Sequence, residues 1–241
     1  MSRMKVYLLL MAGGVGSRVG AGIPKQFVKV LGRPVISYTM EVFEKHPEID
    51  AIELVCVKGY EEQLRQMAAE AGISKLLKIV EGGCDYEHSI INGVRGLEGI
   101  AAPDDIVLIH WAAAPFVSSE IITDNIRVCR EKGNAISACK PFVLYGTRNG
   151  DHAADVIDRD TFMCMTAPHS FLFKNIRQMY ADCKAQGLFD KLEPHTTNFM
   201  AALGIPIYFS KGNQTNIKIT TKEDLLLFEG YLLAKQKHES L

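Results

Sequence analysis

The stretch VYLLLMAGGVGSR, residues 6–18, decides the fold. Val6 to Met11 is an unbroken apolar run rather than an alternating one, which suits a strand buried on both faces. It ends in Gly13-Gly14-Val15-Gly16, where missing side chains let the backbone turn tightly and aim its N–H groups at an anion. The spacing G-x-x-x-x-G-K-[ST] is absent, so this is not a P-loop. Gly14-x-Gly16 has no glycine three positions on, so it is not the dinucleotide fingerprint either. Arg18 and Lys25 follow closely, with Pro24 restricting the backbone just ahead of Lys25. Backbone donors and two cations together are what a nucleoside triphosphate requires, both for its phosphates and for the charge that builds at an attacked phosphorus.

Working outward, strand and helix alternate. Ala51–Val57 reads as a second buried strand, Lys78–Glu81 as a short one and Ile106–His110 as a third. Helical spacing covers 34–43, 61–71, 89–97 and 118–132, the last capped by Ser118 or Ser119. This alternation predicts a mostly parallel, doubly wound α/β sheet with ligands at the carboxyl ends of the strands. The loops at 12–18, 82–89 and 110–115 all follow predicted strands. Beyond Ala135 the pattern changes: Ile136 begins a strand-like run, and 146–154 is polar and turn-rich. A projecting β-arm at about 136–160 is expected, and such a hairpin needs something to pack on, a second subunit being one candidate. A helix at 174–186, a strand at 205–209 and a helix at 222–235 complete a single expected domain, 1–241.

Composition narrows the function classes. With 27 basic and 28 acidic residues the net charge is −1, so nothing draws the protein to nucleic acid or a membrane surface. The six cysteines are scattered, without a C-x-x-C pair, and predict free thiols in a cytoplasmic protein. No metal-ligand spacing is present. The apolar start is too short to span a bilayer. His110 reads as a hydrogen-bonded structural residue, and Met163-Cys164-Met165 as packing.

The pattern A-G-G-x-G-x-R followed by P-K-Q-F resembles the cytidylyltransferases that activate sugar-alcohol phosphates, those of 2-C-methyl-D-erythritol 4-phosphate and of ribitol 5-phosphate. The resemblance runs nearly the whole length, through Gly82-Gly83, Ser89-Ile90-x-Asn92-Gly93, His110-x-Ala112-Ala113-x-Pro115, Asp158-Arg159, Asn216-Ile217-Lys218-Ile219-Thr220 and Glu223-Asp224-Leu225. It implies a Rossmann-like nucleotidyltransferase sheet and a homodimer that exchanges the arm. It also implies in-line attack of an acceptor phosphate on the α-phosphorus of CTP, with Mg²⁺ held mainly by the CTP phosphates. Carried across, Ala12, Gly13, Gly14 and Gly16 would hold the triphosphate. Arg18 and Lys25 would stabilise the transition state, and Lys218 would contact the α-phosphate. Gly82, Gly83 and Ser89 would read the cytosine, with Ala112 near the ribose, while Arg159 and Thr147 would reach the acceptor from a partner's arm.

Several positions depart from the family pattern. His-Asp-Ala-Ala-Arg-Pro has become His110-Trp111-Ala112-Ala113-Ala114-Pro115, Tyr86 stands where an arginine is common, and Thr196-Thr197-Asn198 lacks two usual carboxylates. Trp111 and Thr197 are therefore the expected acceptor-side changes, and the acceptor is open between methylerythritol phosphate, the default, and ribitol phosphate. Gly14 and Ile219-Thr220-Thr221 resemble the ribitol enzymes better. A degenerate nucleotide-binding homologue, or a transferase of another nucleotide, are the competing readings.

Overall fold

The computed structural model describes residues 3–14 and 23–239. Gly16 and Arg18 thus lie outside the described residues. Strand β1 (Val6–Ala12) is followed by a small hairpin, β2 (Lys29–Val30) and β3 (Arg33–Pro34), and then by α1 (Val35–Lys45). The middle of the chain runs β4 (Ala51–Cys56), α2 (Glu61–Glu70), β5 (Leu76–Glu81), α3 (Tyr86–Gly96), β6 (Ile106–Trp111) and α4 (Ser119–Lys132). The last part holds β7 (Asn134–Cys139), β8 (Tyr145–Asn149), β9 (His152–Ile157), β10 (Cys164–Leu172), α5 (Phe173–Ala185), α6 (Thr196–Ala202), β11 (Phe209–Lys211) and α7 (Lys222–Glu239).

Seven strands make one sheet in the order β11-β7-β10-β6-β1-β4-β5. β1 pairs in parallel with β4 and β6, and β4 in parallel with β5, while β10 runs antiparallel between β6 and β7. The sheet is the Rossmann-like, mainly parallel one that the alternation predicts.

β1 is buried along its entire length, and its side chains alternate between two cores. Val6, Leu8, Leu10 and Ala12 face α1, α2 and α4, packing with Ile36, Phe43, Leu64 and Ile122. Tyr7, Leu9 and Met11 face α3, α5 and α6, packing with Ile90, Val94, Ile176 and Phe199. A third cluster, with Phe116, Ile219 and Phe228, ties α7 to the region after β6. Helix ends are set by side chains: Ser118 accepts from the Ile121 N–H at the start of α4, and Gly133 closes that helix at φ 88°.

The structure changes three local expectations and adds a strand, β10, that the sequence reading does not mark. α3 starts at Tyr86 rather than Ser89, because Asp85 caps it by accepting from the His88 N–H at 2.8 Å. Cys164–Leu172, whose proline argues against a strand, is β10. Its pairing with β7 shifts register between Thr166 and His169. The carbonyls at that irregularity are taken by side chains, Asn216 Nδ2 donating to Ala167 and Asn125 Nδ2 to Pro168. The last sheet strand covers Phe209–Lys211 rather than 205–209, since Asn134 Nδ2 and Oδ1 bond Pro206 and Tyr208 ahead of it. Residues 136–139 belong to β7 of the central sheet, so the separate two-stranded arm is β8–β9, starting at Tyr145 and exposed along nearly all of both strands.

Leu8 is fully buried and Leu226 on α7 is 69% exposed. Leu8→Ala is expected to lower the unfolding free energy by about 2–5 kcal/mol in urea denaturation. Leu226→Ala is expected to change it by no more than about 0.5 kcal/mol.

Candidate active site

The parallel strands end in register. Met11 of β1 lies opposite Trp111 of β6, Ala12 opposite Cys56 of β4, and Cys56 opposite Glu81 of β5. Met11, Cys56, Glu81 and Trp111 line the same cleft, of about 780 Å³, which also takes in Lys25 and Lys218. Carboxyl ends of parallel strands are where open α/β sheets bind ligands.

Each wall is built locally. After β1, Gln26 Nε2 donates to the Ala12 carbonyl at 2.7 Å, and Phe27 stacks on Tyr60, so the 3₁₀ turn Lys25–Phe27 is held against the strand end. That fixes the backbone of Lys25 beside Gly13 and Gly14. After β5, the Gly82 N–H donates to the Cys56 carbonyl, the Gly83 N–H donates to Ser89 Oγ at 3.0 Å, and Ser89 Oγ donates to the Asp85 carbonyl at 2.7 Å. A Cβ at Gly83 would lie 2.3 Å from the Cβ of His88, so only glycine fits between this loop and α3. After β6, the Ile219 N–H donates to the Ala113 carbonyl at 2.7 Å, and Ile219 is fully buried. Asp224 accepts from the Thr220 and Thr221 N–H groups, so the start of α7 holds this segment too. Lys218 is thereby carried to the cleft.

The sequence candidates divide into groups. Gly13, Gly14, Lys25, Gly82, Gly83, Ser89, Trp111 and Lys218 all line the cleft. Ala12 and Ala112 are buried behind it, the Ala112 carbonyl accepting from Thr39 Oγ1, and it is Ala113 that faces the cleft. Thr147 and Arg159 sit on or just after the arm, exposed and outside the cleft of their own chain. Thr197 stands on the first turn of α6, next to His195 and Thr196. His110 is fully buried and donates from Nε2 to the Ala114 carbonyl at 2.9 Å, and burial lowers it to about 4, which keeps the ring neutral and structural. Sequence reasoning missed Gln26, His195 and Thr220 as cleft residues, and Tyr86 only registered as a departure. Gln26 and Thr220 stood inside the quoted motifs, whereas nothing in the pattern marks His195.

Electrostatics favour an anionic ligand at the β1 side. Lys25 is 9% exposed, a desolvated cation beside the glycine turn. The carboxylates of the cleft are Glu81, paired with Lys58 at 3.5 Å, and Asp85, held well below its usual range by its bonds with His88 despite partial burial. Among the described residues the only metal-type cluster is Cys84, Asp85 and His88, at the rim and without an ion.

Beneath the site, Glu87 is fully buried and accepts from Tyr180 Oη at 2.6 Å and from Thr196 Oγ1 at 3.1 Å. This links α3, which carries Tyr86 and Ser89, to α6, which carries Thr197. Burial raises the Glu87 carboxyl from 4.5 to about 7, and the same cause does so for Glu53. Between those values the folded protein holds more protons than the unfolded chain, so ionisation costs stability as pH rises from 4.5 to 7. Burial lowers His110 and His169 to about 4, which acts in the opposite direction between 4 and 6.5. Glu87→Gln is therefore expected to raise stability relative to wild type increasingly as pH goes from 4.5 to 7, in thermal unfolding of the two proteins compared across the interval. Gly83→Ala is expected to lower the unfolding free energy by about 1–3 kcal/mol in urea denaturation, through the backbone shift that the His88 contact forces.

The chain matches the profile of the 2-C-methyl-D-erythritol 4-phosphate cytidylyltransferase family over residues 6–234. It is 35% identical to a ribitol-5-phosphate cytidylyltransferase of Lacticaseibacillus paracasei, over 95% of this chain and 98% of that one. It is 33% identical to a 2-C-methyl-D-erythritol 4-phosphate cytidylyltransferase of Clostridium perfringens, over 95% and 99% of the two chains. In structure it is similar to the 4-diphosphocytidyl-2C-methyl-D-erythritol synthase of Anaerococcus prevotii, with a TM-score of 0.79 at 24% identity over 95% and 96% of the chains. The glycine turn, the cation-lined cleft at the strand ends and these matches agree: the chain belongs to the 2-C-methyl-D-erythritol 4-phosphate cytidylyltransferase family and is a cytidylyltransferase, a nucleotidyltransferase on a Rossmann-like sheet.

Proposed function

We propose that the protein transfers CMP from CTP to a small sugar-alcohol phosphate, with ribitol 5-phosphate as the preferred acceptor. What carries the acceptor choice is the ranking among relatives, 35% identity with the ribitol enzyme against 33% with the methylerythritol one. The uncharged Thr197 and Asn198 agree with it. 2-C-methyl-D-erythritol 4-phosphate, the default from the sequence, is the second reading, favoured by the family profile itself.

In this reading an oxygen of the acceptor phosphate attacks the α-phosphorus of CTP. The new P–O bond forms as the bond to the bridging oxygen breaks, and pyrophosphate leaves with that electron pair. The nucleophile is already anionic at neutral pH, so positioning and charge neutralisation are the catalytic tasks. Gly13, Gly14 and Gly16 cradle the phosphates, Lys25, Lys218 and Arg18 neutralise them, and Gly82, Gly83 and Ser89 meet the base. Mg²⁺ binds octahedral oxygen ligands and is commonly held by substrate phosphates with few protein groups. The donor set suits that arrangement, because the Lys25 and Lys218 sides of the cleft are cationic, and Glu81 and Asp85 are its carboxylates. When bound, the ion would add further charge neutralisation at the phosphates.

The same reading makes the protein a homodimer through its arm. Phe142, Leu144 and Val156 on or beside β8–β9 are exposed apolar side chains, and Phe162 and Met165 continue the patch. Covering it with a second copy removes this surface from water and delivers Arg159 and Thr147 of one copy to the acceptor side of the other. We place the protein in the cytoplasm. Its six cysteines are free thiols, and no described helix is long and apolar enough to cross a membrane.

The purified protein with CTP and Mg²⁺ is expected to release pyrophosphate with ribitol 5-phosphate, at a kcat/KM at least about tenfold above that for 2-C-methyl-D-erythritol 4-phosphate. The reverse ranking would select the second acceptor. Measurable CTP binding without release for any nucleotide and polyol phosphate would overturn the enzyme reading in favour of a nucleotide-binding homologue. Lys25→Ala is expected to cost about 10²–10³ in kcat, as loss of one preorganised donor does.

A further inference from the structure

Trp111, which stands where the family pattern has a carboxylate, does not point alone into the cleft. Its indole Nε1 donates to Tyr86 Oη at 2.9 Å. The Lys218 ammonium lies 4.4 Å from the centre of the Trp111 ring and 5.9 Å from that of Tyr86. His169 makes an edge-type contact with the same indole, the ring centres 6.2 Å apart. Three separate elements therefore meet at one point: the end of β6, the first turn of α3 and the segment before α7. The hydrogen bond between the two aromatics locks their relative orientation, and the lysine sits over the larger ring.

A ring face attracts an ammonium through its quadrupole and carries no net charge. A carboxylate in the same place would form an ion pair that competes with a phosphate for the lysine. An aromatic hold supplies a fixed position and adds no countercharge of its own. The orientation needs both partners: without the Tyr86 hydroxyl the indole loses its hydrogen-bond anchor, and without the indole the lysine loses the face it rests on.

We propose that Trp111 and Tyr86 act as positioning residues for Lys218, a hydrogen-bonded aromatic pair that holds its ammonium toward the nucleotide phosphates without neutralising it. This rests on the nucleotide site proposed above.

Trp111 is the only tryptophan in the chain, so one indole N–H resonance and the intrinsic fluorescence both report on this contact. In the full-length protein without nucleotide, Lys218→Met and Tyr86→Phe are each expected to shift that resonance and change the emission. An indole signal unmoved by Lys218→Met overturns the proposal. In turnover assays, Trp111→Asn is expected to lower kcat at least about tenfold with a smaller change in KM for CTP, and Trp111→Phe, which keeps a ring face but loses the bond to Tyr86, to lower it by a smaller factor. Wild-type kcat in Trp111→Asn, or an equal loss in Trp111→Phe, overturns it as well, since the ring face would then count for nothing. Should Trp111→Asn fail to fold, the resonance shifts still decide. Should the wild-type protein release no pyrophosphate at all, the enzyme reading fails, whereas the nucleotide-free shift continues to decide the aromatic hold.

Discussion

A strand buried on both faces is the constraint from which the rest follows. β1 has no polar side, so it must lie inside the sheet with helices above and below. Its even-numbered residues build one core and its odd-numbered ones the other, which makes the two helical layers inseparable from it. Parallel pairing with β4 and β6 then brings three strand ends to one edge in register. A cleft at that edge is a consequence of topology before any ligand chemistry is considered.

The chemistry comes from how each strand end is continued. Gln26 on the Ala12 carbonyl, Ser89 on the Gly82-Gly83 loop and Ile219 on the Ala113 carbonyl are three short, buried or half-buried bonds. Each fixes a different wall, and each wall brings a different group: Lys25, the glycine loop and Lys218. None of the three anchors touches more than one wall, so the cleft is assembled from independent local solutions on a rigid frame. Two links cross between elements: Trp111 Nε1 on Tyr86 Oη joins β6 to α3, and in the layer beneath Glu87 joins α3 to α6 through Tyr180 and Thr196. Through Glu87 the helix that carries Ser89 and the helix that carries Thr197 share one buried carboxylate.

Set against the family pattern that the sequence resembles, the glycines and the lysines Lys25 and Lys218 agree, and Trp111, Tyr86, Ala114 and Thr197 depart. The structure brings the first two of these into contact with each other and with Lys218. Ala114 is fully committed to structure, its carbonyl held by His110. Differences scattered over the sequence thus resolve into one local rearrangement and one packing change.

Sequence alone determined the strand–helix alternation, the parallel sheet, the glycine turn with its lysine, and the family, because these rest on local periodicity and on residues close together in the chain. It also marked His110 as structural and offered Ser118 or Ser119 as a cap, of which the structure uses Ser118. It failed at β10, where Pro168 contradicts local strand propensity and side chains from Asn125 and Asn216 take up the carbonyls of the irregular register. It failed likewise at α6, seven residues with no side-chain cap, held by burial of Phe199 and Met200. Only the tertiary structure decided that Ala113 rather than Ala112 faces the cleft, that His195 lies in it, and that Tyr86, Trp111 and Lys218 meet. Those contacts join residues far apart in the chain, and no local pattern encodes which side chains a folded sheet will bring to the same edge.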